Sequence, residues 1–256
     1  MPRAFHIQAI AAVTLAVSGW ATSLPCLADA LTVSAASSLT NAFKEIGQAY
    51  ERQNPQTQVL LNFGASGALL QQISRGAPVD VLAAADQDTM DQAQQQGWVQ
   101  GSQRRQFAGN RLVVIQPIDR PYALRSLQDL LPARVEKIAV GHPASVPVGR
   151  YAQQALEDAK LWPPIQAKAI TTQNVRQSLD YVARGEVDAG FVYETDAAWM
   201  KDKVKVAFVV PLKDKVVYPI APIISSKQGP EAQRFVSFVL SAEGQAILNK
   251  HGFLKP

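Results

Sequence analysis

Residues 31–50 read Leu-Thr-Val-Ser-Ala-Ala-Ser-Ser-Leu-Thr-Asn-Ala-Phe-Lys-Glu-Ile-Gly-Gln-Ala-Tyr, and a change of pattern within them decides the fold class. Leu31 to Ala35 is a short apolar run with a β-branched centre. Leu39, Phe43, Ile46 and Tyr50 then recur at spacings of four, three and four, the period of one helical face. Between the two halves, Ser37-Ser38-Leu39-Thr40-Asn41 places hydroxyls where the helix begins.

The same exchange repeats down the chain. Apolar runs stand at residues 59–63, 79–84, 112–115, 138–140, 169–171, 189–193, 206–210 and 216–224. Helical faces run through Tyr151, Ala155 and Ala159 and through Val175, Leu179 and Val182, and Pro230 to Lys250 reads as helical throughout. Strands alternating with helices predict an α/β protein with parallel sheets covered by helices. At 256 residues the chain is long enough for more than one core. No Gly/Ser linker divides it, so the expectation is two doubly wound α/β lobes that exchange strands. Leu112 to Gln116 and Val216 to Ile220, which carries Pro219, are the candidate crossing strands. Lobe 1 is then discontinuous, over 31–109 and 219–256, and lobe 2 spans 110–218.

Residues 1–30 read as an export signal. Arg3 supplies the positive end, Ala9 to Val17 the short apolar run, and Ala28-Asp29-Ala30 the cleavage site. Ser18, Gly19 and Thr22 interrupt the run before it reaches the ~20 residues of a membrane span. Cleavage near Ala30 puts the mature protein in the periplasm and removes Cys26, the single cysteine; acylation of Cys26 is the minor alternative.

Composition excludes several classes. With 47% hydrophobic and 18% charged residues the chain is not disordered, and one cysteine supports neither a disulfide scaffold nor a zinc module. The net charge of +4 is dispersed. Its one concentration, Lys201, Lys203, Lys205, Lys213 and Lys215, is interleaved with Asp202 and Asp214, unlike a phosphate-tracking surface, so no nucleic-acid partner is expected.

Ligands of open parallel sheets gather beyond the carboxyl ends of strands, where helices start. Four such junctions carry neutral donors and no Lys or Arg: Ser37 to Asn41, Gly64-Ala65-Ser66-Gly67-Ala68, Val146-Pro147-Val148-Gly149, and Thr172-Gln173-Asn174-Val175. Ordinary helix capping explains any one of them. Together they offer four helix N-termini, each with unpaired amides and roughly half a positive charge, to one anion.

Ala35-Ala36-Ser37-Ser38-Leu39-Thr40-Asn41-Ala42, Gly76-Ala77-Pro78-Val79-Asp80-Val81 with Ala85-Asp86, Gly109-Asn110-Arg111-Leu112-Val113-Val114, Val175-Arg176 and Gly190-Phe191-Val192-Tyr193 occur in the order found in the periplasmic molybdate-binding proteins of molybdenum ABC importers, which the chain resembles from about Leu31 to Phe253. The resemblance implies the type II periplasmic-binding-protein fold, two lobes closing on an oxyanion. It implies that the hydroxyls of Ser38 and Ser66, the backbone amides of Val148 and Val175 and the phenol of Tyr193 hold molybdate or tungstate, with the Ser66 amide as a further donor. The metal would be held only through its oxygens, with no cofactor. The implied protein is a monomer that delivers its cargo to a membrane permease and is not an enzyme. Two positions depart from the family pattern: Val148 where Ala is common, which a backbone donor tolerates, and Ala65 where Ser is common, which removes a peripheral hydroxyl.

Two rival readings remain at this level. A serine hydrolase would need a nucleophile elbow, but in Gly64-Ala65-Ser66-Gly67 the second glycine follows the serine directly, and the only histidines beyond the signal are His142 and His251. A sulfate-binding or other oxyanion-binding protein is nearer. Hydrogen phosphate needs an acceptor that the junctions lack, whereas sulfate and molybdate are told apart only by the resemblance.

Overall fold

The computed structural model describes residues 29–120 and 123–256. Most of the expected export signal, with Arg3 and Cys26, lies outside them. The strands are β1 (Asp29–Ala36), β2 (Thr57–Gly64), β3 (Val81–Ala83), β4 (Arg105–Asn110), β5 (Leu112–Pro117), β6 (Ile138–Gly141), β7 (Ala169–Thr172), β8 (Ala189–Tyr193), β9 (Val204–Val209) and β10 (Val216–Pro222). The helices are α1 (Thr40–Gln53), α2 (Ser66–Ser74), α3 (Gln87–Gln95), α4 (Pro147–Asp158), α5 (Trp162–Gln166), α6 (Val175–Ala183), α7 (Glu194–Trp199), α8 (Gly229–Leu240) and α9 (Ala242–Lys250).

They form two mixed sheets, ordered β2-β1-β3-β10-β4 and β7-β6-β8-β5-β9. In each, two parallel pairs carry the βαβ units and two antiparallel pairs complete the far side. The chain passes from the first sheet to the second at Arg111, between β4 and β5, and returns over residues 210–215, between β9 and β10. Each candidate crossing strand therefore lies wholly in one sheet, and the connections make the crossings. Asn110 and residues 216–218, read from sequence as part of lobe 2, belong to the first sheet, where β4 pairs with β10. Pro219 sits where the β10–β4 register shifts, a place where a missing N–H is tolerated.

Side-chain alternation explains the layers. In β3, Val81 and Ala83 join the main core while Leu82 faces a smaller cluster with Leu69, Ile73 and Met90. On the main side, α1 buries Phe43, Ile46 and Tyr50. Tyr50 packs edge-on to Phe235 and Phe238 of α8, with ring centroids 5.2 and 5.4 Å apart. Burying each such ring contributes about 1.5–3 kcal/mol. In the second lobe every residue of β5 is buried, as a central strand covered on both faces requires.

Three details differ from the sequence expectation. The helical stretch after Pro230 breaks at Ser241, which leaves helical geometry (ψ 166°) and caps α9 through Gly244 N–H. The buried face of α4 is Val148, Ala152, Ala155 and Leu156, so Tyr151 and Ala159 lie at its margin. Strand β4 has Phe107 and Ala108 as its only apolar residues, too few to register as a run; pairing with β10 and with the chain terminus at Leu254 makes it a strand.

Candidate functional site

The four junctions converge. Ser37 and Ser38 follow β1 in a single 3-10 turn, Ser66 opens α2, Val148 is the second residue of α4, Val175 opens α6, and Tyr193 ends β8. All five predicted residues, Ser38, Ser66, Val148, Val175 and Tyr193, line one narrow cavity of about 10 Å³ between the lobes. Ala36, Gly64, Ala65, Ala85, Val146 and Pro147 line it as well, and its wall carries no charged side chain and no histidine. Ser38, Ser66, Val148, Val175 and Tyr193 are each at most 3% exposed.

The helix starts are unusual in what they leave unpaired. No side chain caps α1, α2 or α4, and Pro147 at the first position of α4 has no N–H to satisfy. The amide of Val148 thus lacks an intrahelical acceptor, as do those opening α2 and α6. Asn174 does cap α6, but through Gln177 N–H at 3.0 Å, which leaves the Val175 amide free of that cap. Capping therefore accounts for one junction of the four.

The serines are donors by arrangement. Ser66 Oγ accepts the Ala85 N–H at 3.0 Å, so its own proton is available to the cavity. Tyr193 reaches across to donate to the Ala85 carbonyl at a long 3.4 Å. Burial pushes its phenol well above the usual value, with the neighbouring Tyr218 adding to the rise, so it stays protonated.

Contacts between the lobes close the cavity. Gly67 N–H donates to Ser145 O at 3.0 Å, an approach that needs glycine because a Cβ there would lie 2.8 Å from that oxygen. Arg150, two residues beyond Val148, bonds Asp86 through Nε and Nη2, both at 2.8 Å. It also reaches Thr89 Oγ1 at 3.3 Å. Asp86 follows Ala85 directly and caps α3 through Thr89 N–H. The residues whose roles sequence reasoning missed are these: Asp86, Arg150, Asn110 and Tyr218. Asp86 and Asn110 fall within the quoted motifs, but no local pattern reveals partners far away along the chain. His251, weighed from sequence as a base, is 2.8 Å from Glu45 at a helix end and lines a different hollow.

Residues 31–254 match the family model described as bacterial extracellular solute-binding protein. The molybdate-binding protein ModA of Escherichia coli is 32% identical over 97% of this chain and 96% of its own. That of Mycobacterium tuberculosis is 35% identical over 90% and 86%. Among solved structures, the periplasmic molybdate-binding protein of Azotobacter vinelandii shares the fold with a TM-score of 0.77 at 23% identity, covering 88% of this chain and 99% of its own. The chain has the two-lobed type II periplasmic-binding-protein fold, and it belongs to the family of bacterial extracellular solute-binding proteins.

Proposed function

We propose that this protein captures molybdate, and tungstate about equally, between its lobes in the periplasm and hands it to the permease of an ABC importer after a leader has been cut near Ala30. Ser38 and Ser66 donate through hydroxyls, Val148 and Val175 through backbone amides, and Tyr193 through its phenol when it exchanges its long 3.4 Å bond to the Ala85 carbonyl for the anion, with the Ser66 amide as a further donor. The observation that carries this reading is a small interlobe cavity at four helix starts whose polar side chains, Ser37, Ser38, Ser66 and Tyr193, are all neutral hydroxyls. At about 10 Å³ it lies far below the ~300–1,000 Å³ of sites for organic ligands, which favours a small inorganic ion. Helix N-termini and hydroxyls stabilise a dianion without a counter-charge. The molybdate-binding relatives supply the choice among dianions.

The reading needs no cofactor and no catalytic group. The cavity wall offers Ser66 no general base, which argues against hydrolysis. Calorimetric titration of the mature chain with molybdate, tungstate, sulfate and phosphate in parallel tests the assignment. Molybdate and tungstate should bind with similar affinity, sulfate far more weakly and phosphate hardly at all. Sulfate displacing molybdate at equal concentration would move the protein to the sulfate-binding class.

A further inference from the structure

Ser38 lines the cavity and also the neighbouring hollow beside His251, and its Oγ lies 3.0 Å from the phenol oxygen of Tyr218. Tyr218 lies on β10, is wholly buried and is absent from the cavity wall. A third residue decides which hydroxyl donates. Asn110 Oδ1 accepts the Arg111 backbone N–H at 2.9 Å, which fixes the orientation of its amide. Its Nδ2 then donates to the Tyr218 oxygen at 3.3 Å and to Thr195 Oγ1 at 2.9 Å.

A phenol that accepts from Asn110 has its single proton left to give, and Ser38 Oγ is the acceptor it meets. Burial pushes the Tyr218 phenol well above its usual value, so that proton stays in place. Ser38, having accepted it, turns its own proton to the cavity. Ser66 receives the same treatment from the Ala85 amide. The two serines thus meet the ligand as donors, each for a different structural reason.

We propose that Tyr218, oriented by Asn110, is a positioning residue that determines specificity: its bond to Ser38 makes that serine a donor and so turns the cavity against oxyanions that still carry a proton. This rests on reading the cavity as an oxyanion site. Hydrogen phosphate at mildly alkaline pH has the charge and shape of the fully deprotonated dianions but brings an O–H, which neither Ser38 nor Ser66 can accept while both are turned to donate.

Two variants test the inference. Tyr218→Phe removes the donor while keeping the ring against Phe107, Tyr193 and Phe253. In Asn110→Asp the carboxylate draws the Tyr218 proton to itself, so Ser38 must donate to Tyr218 and present lone pairs to the cavity. Affinities for molybdate and hydrogen phosphate are read by calorimetric competition, with urea unfolding to confirm that each variant is folded; if one is not, the other decides. The ratio of molybdate to hydrogen phosphate affinity should fall in each. In Tyr218→Phe the released Ser38 hydroxyl can still donate to molybdate but is also free to accept from hydrogen phosphate. In Asn110→Asp it both accepts from hydrogen phosphate and withholds its proton from molybdate, a loss of about tenfold. An unchanged ratio, with both ligands weakened alike or neither affected, overturns the inference, as does a wild-type protein that binds hydrogen phosphate as tightly as a deprotonated dianion. Wild-type protein that prefers sulfate to molybdate would refute the cargo assignment alone; sulfate then replaces molybdate in the ratio and the same outcomes decide. Binding of none of these ions refutes both.

Discussion

Replacing Arg150 by Met keeps the aliphatic stem on α4 but removes the guanidinium that ties the second lobe to Asp86 in the first. Asp86 is 3% exposed and the Arg150 side chain 23%, so the pair is largely withdrawn from water. A hydrogen-bonded charge pair of this kind is worth roughly 1.5–3 kcal/mol. Partial exposure screens it, and opening of the cleft would let the orphaned Asp86 carboxylate rehydrate, so about 1–2 kcal/mol is the realistic loss. Because the bond spans the lobes and lies outside either core, the loss should fall on closure: the closed fraction drops and the apparent molybdate Kd rises by about 5- to 30-fold. The Arg150 bond to Pro143 O, within its own lobe, adds only a minor cost to folding. Calorimetry gives the affinity, and small-angle scattering with and without molybdate follows closure. A double-mutant cycle with Asp86→Asn, which can retain the α3 cap, isolates the pair. Wild-type affinity in Arg150→Met, or a loss wholly mirrored in the unfolding midpoint of the ligand-free protein, would refute the latch.

Ser66→Ala removes a ligand donor and leaves the buried Ala85 N–H without its acceptor, so molybdate binding should weaken by about 1.5–3 kcal/mol by calorimetry, whereas Val148→Ala, which alters no amide, should change it little. In Gly149→Ala the new Cβ would lie 1.9 Å from Gly141 O, a backbone atom that cannot swing aside. The start of α4 must shift, costing about 1–3 kcal/mol in urea unfolding and more than tenfold in molybdate affinity; wild-type binding would show that the Val148 amide is not a donor. Burial pushes the Asp196 carboxyl from 3.8 up to about 6 against the opposing pull of Arg176, 2.9 Å away. The folded state therefore holds the extra proton between those values, and this group adds stability as pH falls from about 6 toward 3.8 and costs stability above. Asp196→Asn should remove that slope from plots of urea midpoint against pH, and plots parallel to wild type would refute the assignment.

The strand and helix pattern was largely legible because its signals are local. Period and burial are enough to explain why β1 and α6 form: Val33 is buried in the sheet, and Val175, Leu179 and Val182 share one buried face. The junction hydroxyls were equally visible. Strand β4 escaped because two apolar residues in six make no run, and the break at Ser241 because its flanks read as continuous helix.

By itself, then, the sequence determined an α/β chain with donor-rich helix starts and, through the order of its motifs, the family to which it belongs. Periodicity and junction chemistry are properties of neighbouring residues, and they survive without coordinates. Only the tertiary structure decided that Ser38, Ser66, Val148, Val175 and Tyr193 face one cavity, that Arg150 meets Asp86 across the cleft, and that Asn110 and Tyr218 set the direction of the Ser38 hydroxyl. Arg150 and Asp86 are 64 residues apart along the chain, and Tyr218 and Ser38 are 180 apart. Sheet order brings them together, and the direction of a hydrogen bond depends on every donor and acceptor around it, which no stretch of chain contains.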